Sequence, residues 1–256
     1  MPTPIQRRAI PIILQGFNVI AMARTGSGKT GAFTIPVVEK LQKHSQVVGA
    51  RCVILSPTRE LAMQTSTYLK MLTKNTDLTT CLIVGGNDME NQFERLLLNP
   101  DIIIATPGRL MHCIDQTNLS LAMVQLVIYD EADRLFELGF AEQIKAITDR
   151  MPANRQSLLF SATISSEVKD FTLSGMKDYR MVQVDRDSKL SDQLKLHFFV
   201  VRSVEKEASL MFVLREKILE NQQTIVFGAT KYHVEYLSEL TQKAGILADY
   251  IYGAMD

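Results

Sequence analysis

Short, almost uninterrupted apolar runs alternate with longer helical patterns along most of the chain. NVIAMA (18 to 23), RCVILS (51 to 56), TTCLIVG (79 to 85), DIIIAT (101 to 106), QLVIYD (125 to 130) and SLLFSAT (157 to 163) read as strands, with helical segments such as Arg59 to about Lys74 and AEQIKAITDRM (141 to 151) between them. Strands that are apolar on both faces must be covered on both faces, and helical crossovers between them imply a parallel sheet. The expected class is α/β, a doubly wound parallel sheet. A polar, charged stretch, VDRDSKLSDQ (184 to 193), has the composition of a linker and bounds a first domain, 1 to 184, with the linker proper at 185 to 193. After it the pattern restarts as LKLHFFVV (strand), EKEASLMFVLREKIL (helix), QTIVFGAT (strand), KYHVEYLSELTQKAG (helix) and ILADYIYG (strand). Residues 194 to 256 fall short of the ~100 to 150 residues usual for a domain, so this second unit is expected to be incomplete.

Composition narrows the function. With 28 Lys+Arg against 28 Asp+Glu in 256 residues the formal net charge is zero, which excludes holding nucleic acid by bulk charge. Any phosphate binding must come from local, shaped sites. Cys52, Cys81 and Cys113 are odd in number and set in apolar runs, as expected of reduced core thiols in an intracellular protein. His44, His112, His197 and His233 never fall within metal-ligand spacing of one another or of a cysteine, which argues against zinc and for a metal held by oxygen. No apolar run approaches the ~18 residues of a membrane span, and MPTPIQRR is no signal peptide.

The first chemical signal is AMARTGSGKT (21 to 30), an apolar strand running into a glycine-rich turn and then a helix. Gly26 and Gly28 permit positive φ, so successive N–H groups can turn inward around phosphate oxygens at a helix N-terminus. Lys29 would neutralise the outer phosphates and Thr30 would ligate Mg²⁺. The strict pattern G-x-x-x-x-G-K-[ST] fails at its first position, where Ala23 stands. The second signal is QLVIYDEAD: Asp130 leaves the strand end to complete the metal site, and Glu131 beside it would activate a water. Taken alone, three acids in four residues fit a solvated helix start equally well. The apolar strand before them and the phosphate loop upstream favour the metal site.

These segments resemble the DEAD-box RNA helicases, with DEAD itself at Asp130 to Asp133 and, in family order, PTPIQ (2 to 6), ARTGSGKT (23 to 30), PTRELA (57 to 62), GG (85 to 86), TPGR (106 to 109) and SAT (161 to 163), followed by IVF (225 to 227) and Thr230. The stretches GGNDMENQFERLLLNPDIIIATPGRL and DEADRLFELGFAEQI are similar to the branch acting in the nucleolus on the precursor of the large ribosomal subunit. The resemblance implies a RecA-like fold for the first domain, part of a second RecA-like domain, ATP and Mg²⁺ as cofactors, and RNA as partner, with pre-ribosomal RNA and assembly factors in a nuclear, nucleolar setting. No membrane and a monomeric state are expected.

Carried over by motif, Gln6 would read the adenine edge. Ala23, Arg24, Thr25, Gly26, Ser27, Gly28, Lys29 and Thr30 would form the nucleotide loop, with Asp133 beside it. Thr30 and Asp130 would hold the metal. Lys29, Asp130 and Glu131 would act in hydrolysis, while Ser161 and Thr163 would link nucleotide to RNA through Asp133. Taken alone, SAT reads as a strand end with capping hydroxyls.

For RNA, Thr106 reads as an N-cap with Pro107 at the first helical position, Gly108 next and Arg109 in the first turn; Pro57, Thr58 and Arg59 repeat the arrangement, and Gly85 and Gly86 end a strand. Free N–H groups and a cation at a helix start make a phosphate site. Such contacts fix position without reading bases, so binding should be independent of sequence. Any one of these turns taken alone reads as an ordinary capped helix, and only the three together point to RNA.

The chain departs from the family pattern beyond the linker, where Arg186, Arg202 and Arg215 are the only arginines and none lies in an H-R-x-G-R-x-x-R or A-R-G-x-D segment. The resemblance also implies an aromatic upstream of Gln6 that this sequence does not include. Residues 1 to 256 alone are therefore expected not to unwind a duplex. Two rivals stay open: an ATP-dependent RNA clamp without turnover, and a DNA-directed translocase, against which stand DEAD and Gln6.

Overall fold

The structure, a computed structural model, describes residues 1–86, 89–184, 194–218, 222–253 and 255. The chain forms two units, Met1–Ser188 and Lys189–Asp256. The linker expected at 185–193 lies outside the described residues.

In the first unit the six expected strands are β1 (Asn18–Met22), β2 (Cys52–Leu55), β3 (Thr80–Ile83), β4 (Ile102–Ala105), β5 (Leu126–Tyr129) and β6 (Gln156–Ser161). A seventh that the sequence reading did not contain, β7 (Tyr179–Gln183), completes a sheet of order β3-β4-β2-β5-β6-β1-β7 in which every pair is parallel. Only Val182 of β7 is buried. An edge strand needs one ladder partner and no continuous apolar run, so its sequence carries little signal.

Alternate side chains of each central strand enter two cores. Val127 and Tyr129 of β5 face one, Leu126 and Ile128 the other. Helices α1 (Pro4–Leu14), α2 (Lys29–Leu41) and α3 (Arg59–Thr73) cover one face. The other is covered by α4 (Met89–Leu97), α5 (Pro107–Thr117), α6 (Ala132–Glu137), α7 (Ala141–Thr148) and α8 (Ser166–Gly175). Cutting a side chain such as Ile54 or Ile104, each fully buried under the α1–α3 layer, to alanine would cost about 2–5 kcal/mol. Cys52, Cys81 and Cys113 are free and buried, and burial pushes the Cys81 thiol up to about 11.

Parallel strands send all their carboxyl ends to one edge, where ligands of open α/β sheets bind. The ladder runs one residue past the strands there: Ala23 N–H donates to Ser161 O at 3.1 Å, Ser56 N–H to Ala105 O at 2.9 Å, Thr106 N–H to Ile83 O at 3.2 Å and Asp130 N–H to Leu55 O at 2.9 Å. Each motif residue therefore starts from a fixed backbone.

At the opposite edge Asp101, 1% exposed, accepts from Thr79 N–H (3.0 Å), Ser45 N–H (3.1 Å) and Arg51 Nη2 (2.6 Å), with His44 Nδ1 at 2.9 Å. Burial opposes its charge, but the Thr79 N–H, the His44 ring, the Arg51 guanidinium and the Ser45 N–H outweigh burial and hold the carboxyl below the usual range.

The second unit corrects an expectation. Its helices α9 (Lys206–Glu216) and α10 (Lys231–Lys243) form, but LKLHFFVV, QTIVFGAT and ILADYIYG join no ladder among the described residues. Phe198, Phe227 and Leu247 stand 85%, 92% and 100% exposed. Apolar β-rich composition favours an extended backbone, but a strand exists only through a paired neighbour. Among the described residues no helix is long and apolar enough to cross a membrane.

Candidate functional site

The carboxyl edge divides into two groups of turns. The first follows β1, β5 and β6. After β1 the chain turns through Gly26 (φ +78°) and Gly28 (φ +93°), the positive values that the glycines were expected to permit. Gly28 is the N-cap of α2, so Lys29 and Thr30 open that helix. The α1 N-terminus lies against this turn: Gln6 Nε2 donates to Gly28 O at 3.1 Å, and Thr3 N–H donates to Gln6 Oε1 at 3.0 Å. A Cβ at Gly28 would stand 2.8 Å from both Gln6 Nε2 and Thr3 Oγ1, so only glycine admits this approach. Gln6 thus spends one amide proton and one lone pair inside the protein, leaving one of each.

Lys29 is 7% exposed, and its Nζ is buried without a hydrogen-bond partner. Ser27 Oγ and Thr3 Oγ1 are buried and unpartnered as well. A buried donor left unsatisfied costs about 1–3 kcal/mol, more when charged. Three such atoms around one glycine turn form a cradle that an anion with several acceptor oxygens satisfies. Arg24 and Thr25 are exposed at the tip of the turn, and Ala23 is buried at its base.

Asp130, 5% exposed, leaves β5 facing Lys29. Burial pushes its carboxyl up to about 7, the neighbouring Glu131 carboxylate pushes the same way, and Lys29 and the Glu131 N–H oppose them. A group held near its neutral form by desolvation is one that a divalent cation re-ionises. Glu131 caps α6 in the left-handed region (φ 49°, ψ 56°), a conformation costly for a side-chain-bearing residue. Such strain persists where the surroundings fix it. Among the described residues no three His, Cys, Asp or Glu side chains cluster to hold a metal. A hard cation that keeps waters and takes few protein oxygens, with Thr30 and Asp130 as donors, is what these residues fit.

The third turn, after β6, meets the second through hydrogen bonds. Thr163 N–H and Oγ1 donate to Asp133 Oδ2 at 3.0 and 2.9 Å, Asp133 N–H donates to Ser161 Oγ at 3.1 Å, and Ser161 Oγ–H donates to Thr163 O at 2.6 Å. Burial raises Asp133, but the Ser161 and Thr163 hydroxyls and the Thr163 and Arg134 N–H groups hold its carboxyl below the ordinary range.

The second group of turns follows β2, β3 and β4. Pro57 is buried, and Thr58 caps α3, its Oγ1 accepting from Leu61 N–H at 3.3 Å. Arg59 Nη1 donates to Gly85 O at 3.1 Å, and a Cβ at Gly86 (φ +76°) would collide with that guanidinium. Thr106 caps α5 by its backbone conformation alone, with Pro107 at the first position and open space at Gly108. Arg109 Nε is 3.5 Å from Gln92 Oε1, and Gln92 Nε2 donates to Val84 O at 3.2 Å. The three turns are therefore wired to one another.

Gln92 was missed by sequence reasoning. It is 3% exposed, yet α4 reads as an amphipathic surface helix and nothing in ENQFERLL marks its one inward amide. Ser56, whose buried Oγ has no hydrogen-bond partner at the end of β2, was missed too, because a serine before proline looks like any turn.

A model of the DEAD/DEAH box helicase family matches residues 3–171. The whole chain is 51% identical over 256 residues to the ATP-dependent RNA helicase DDX54 of Mus musculus, 29% of whose length it covers. It is 49% identical over 281 residues to the ATP-dependent RNA helicase ddx54 of Dictyostelium discoideum, covering 26% of that protein. To the ATP-dependent RNA helicase DBP10 of Meyerozyma guilliermondii it is 42% identical over 302 residues, covering 33%. The chain thus spans about a quarter to a third of the length of these relatives. A solved DEAD box protein from the hyperthermophile Methanococcus jannaschii superposes with TM-score 0.68 at 32% identity, covering all of this chain and 68% of that one.

Proposed function

Because this chain belongs to the DEAD/DEAH box helicase family, we propose that it is the ATP-binding core of an ATP-dependent RNA helicase, with residues 1–184 as the first RecA-like domain, 185–193 as linker and 194–256 as part of the second. The observation that carries this reading is the buried, unpartnered Lys29 ammonium at the glycine turn, opposite Asp130. Lys29, Ser27 and the α2 N-terminus would take the phosphates of ATP, and Gln6 would select adenine with its remaining proton and lone pair. Thr30 and Asp130 would hold Mg²⁺, which when bound offsets charge on the outer phosphates. Glu131, aimed by its constrained backbone, would take the proton of the attacking water. Asp133, Ser161 and Thr163 join the β5 and β6 ends, a connection suited to carrying nucleotide state towards the RNA turns.

Thr58, Arg59, Gly85, Gly86, Thr106 and Arg109, with Pro57, Pro107 and Gly108 shaping their turns, would contact RNA backbone and fix no sequence. Closing both domains on one strand would bend it until its partner leaves. The similarity to the DDX54 and DBP10 proteins, together with the branch resemblance of residues 85–110 and 130–144, supports pre-ribosomal RNA as substrate, assembly factors as partners and a nucleolar site of action. No Arg-rich motif stands in residues 194–256, and loss of an arginine finger costs ~10³ to 10⁵ in rate. Residues 1–256 by themselves should bind Mg·ATP with negligible RNA-stimulated turnover. A phosphate-release assay with saturating RNA, run on residues 1–256 and on a form extended through an Arg-rich segment, tests this. Turnover in the extended form only is expected. Equal turnover in both overturns the finger assignment, and ATP binding with turnover in neither favours the clamp.

A further inference from the structure

Ser56 is fully buried at the end of β2, and its Oγ has no hydrogen-bond partner. Alanine would fill nearly the same space without desolvating a hydroxyl, so the serine costs stability until a partner reaches it. The proposed helicase chemistry gives it no role. Its backbone is fixed on both sides of β2: Ser56 N–H donates to Ala105 O at 2.9 Å, and Asp130 N–H donates to Leu55 O at 2.9 Å. Pro57 after it confines it to extended backbone. Only rotation about its own side-chain bond is left to it.

Side-chain alternation decides what that hydroxyl faces. Cys52 and Ile54 of β2 and Leu126 and Ile128 of β5 enter the core under α1–α3, whereas Val53, Leu55, Val127 and Tyr129 enter the other. Leu55 pairs with Tyr129 on one side and with Ala105 on the other. One residue further, Ser56 therefore stands between Asp130 and Thr106, with its side chain on the face of α2, the helix that Lys29 opens. Neighbouring strands lie about 4.8 Å apart, close enough for a hydroxyl and a carboxylate on one face to share a small hydrogen-bonded group. Thr58 is no substitute, because its Oγ1 already accepts from Leu61 N–H at 3.3 Å.

A hard cation held by as few protein oxygens as Thr30 and Asp130 offer keeps several waters, and groups outside the ligand set orient those waters and the ligating carboxylate. A serine hydroxyl donates one hydrogen bond and accepts others, which suits it to stand between a carboxylate and a water. We propose that Ser56 is a positioning residue of the metal site: its hydroxyl donates to the Asp130 carboxylate and accepts from a water of the cation's shell. The proposal rests on the reading of Lys29, Thr30 and Asp130 as a Mg·ATP site. Thr106, on the other side of Ser56, is the rival partner, and a bond to it would be indifferent to metal.

Titration of the full chain with a fluorescent, non-hydrolysable ATP analogue at graded Mg²⁺ concentrations tests this, with thermal melts of the unliganded protein alongside. Ser56→Ala should weaken the apparent Mg²⁺ affinity about tenfold and leave analogue binding without Mg²⁺ as in the wild type. Its unliganded melting temperature should hold or rise, because an orphaned buried hydroxyl is gone. Ser56→Thr should keep the wild-type Mg²⁺ affinity, and Ser56→Val, its match in shape, should lose as much as Ser56→Ala. Wild-type Mg²⁺ dependence in Ser56→Ala overturns the proposal, and a lowered melting temperature in that variant then assigns the hydroxyl to Thr106. Equal loss of analogue binding with and without Mg²⁺ also overturns it, because the hydroxyl then serves the nucleotide and not the metal. Failure of the Mg·ATP reading itself looks different: the wild-type chain then shows no Mg²⁺ dependence and Asp130→Asn changes nothing, which overturns both.

Discussion

The two groups of turns on the carboxyl edge share one sheet and one helix-start geometry, yet they are finished differently. Around the turns after β1 and β5 several buried polar atoms lack partners: Lys29 Nζ, Ser27 Oγ and Thr3 Oγ1 have no hydrogen bond, and the Asp130 carboxyl is pushed up to about 7. After β2, β3 and β4 the Ser56 hydroxyl alone among the groups named above is left without a partner, and the others are satisfied, with Arg59 on Gly85 O, Gln92 on Val84 O and Thr58 on Leu61 N–H. The first group holds unsatisfied charge that a ligand completes; the second is assembled beforehand. A site of the first kind should gain stability when its ligand arrives, and a site of the second kind should change little.

The hardest blow to this contrast falls on the chemistry. Glu131→Gln in the full-length protein should lower ATP hydrolysis by about 10² to 10⁴ while ATP affinity stays near wild type, since in the proposed role the removed group would act only on water. Phosphate release and nucleotide titration on the same sample check both halves. Wild-type turnover would remove Glu131 from the catalytic set.

Next in size is Lys29→Ala. Removing one partner of a desolvated charge contact costs about 2–5 kcal/mol of ATP binding. The unliganded protein should lose no stability, and its melting temperature should hold or rise, because an orphaned buried ammonium is gone. Calorimetric titration with thermal melts reads both. A marked drop in the unliganded melting temperature would mean that Lys29 is structurally satisfied and that the contrast is false.

Gln92→Leu probes the other side. It strips the donor from Val84 O, so the unliganded chain should lose about 1–3 kcal/mol, and RNA affinity should fall with ATP affinity unchanged. Thr58→Ala removes only a cap and should cost about 1 kcal/mol. Chemical denaturation gives both values. If ATP affinity falls with either variant, the two groups are one site rather than two.

A pH series gives the smallest effect and an internal control at the opposite edge. The Asp101 carboxyl lies below its ordinary range in the folded chain, so its contribution is present above about pH 4, the unfolded value, and is lost as the pH falls through the lower folded one. Asp101→Asn should flatten that acid limb of the stability curve without altering ATP or RNA binding. An unchanged limb would assign acid lability to other carboxylates.

The alternation of apolar runs and helical patterns determined the class, because a strand covered on both faces has to be apolar at consecutive positions. Spacing determined the glycine turn, Asp130 at a strand end and the threonine-capped starts of α3 and α5, since each needs a particular residue type at a particular local backbone. Burial and pairing were decided only in three dimensions. β7 becomes a strand because β1 offers it a ladder, whereas LKLHFFVV, with stronger β composition, has no such partner among the described residues. Gln92 becomes a bridge because α4 happens to turn that amide onto Val84. Whether Lys29 is orphaned and Asp130 is raised depends on which atoms come within about 3 Å of them, and those neighbours come from elements that the chain brings together only after 100 residues of intervening sequence.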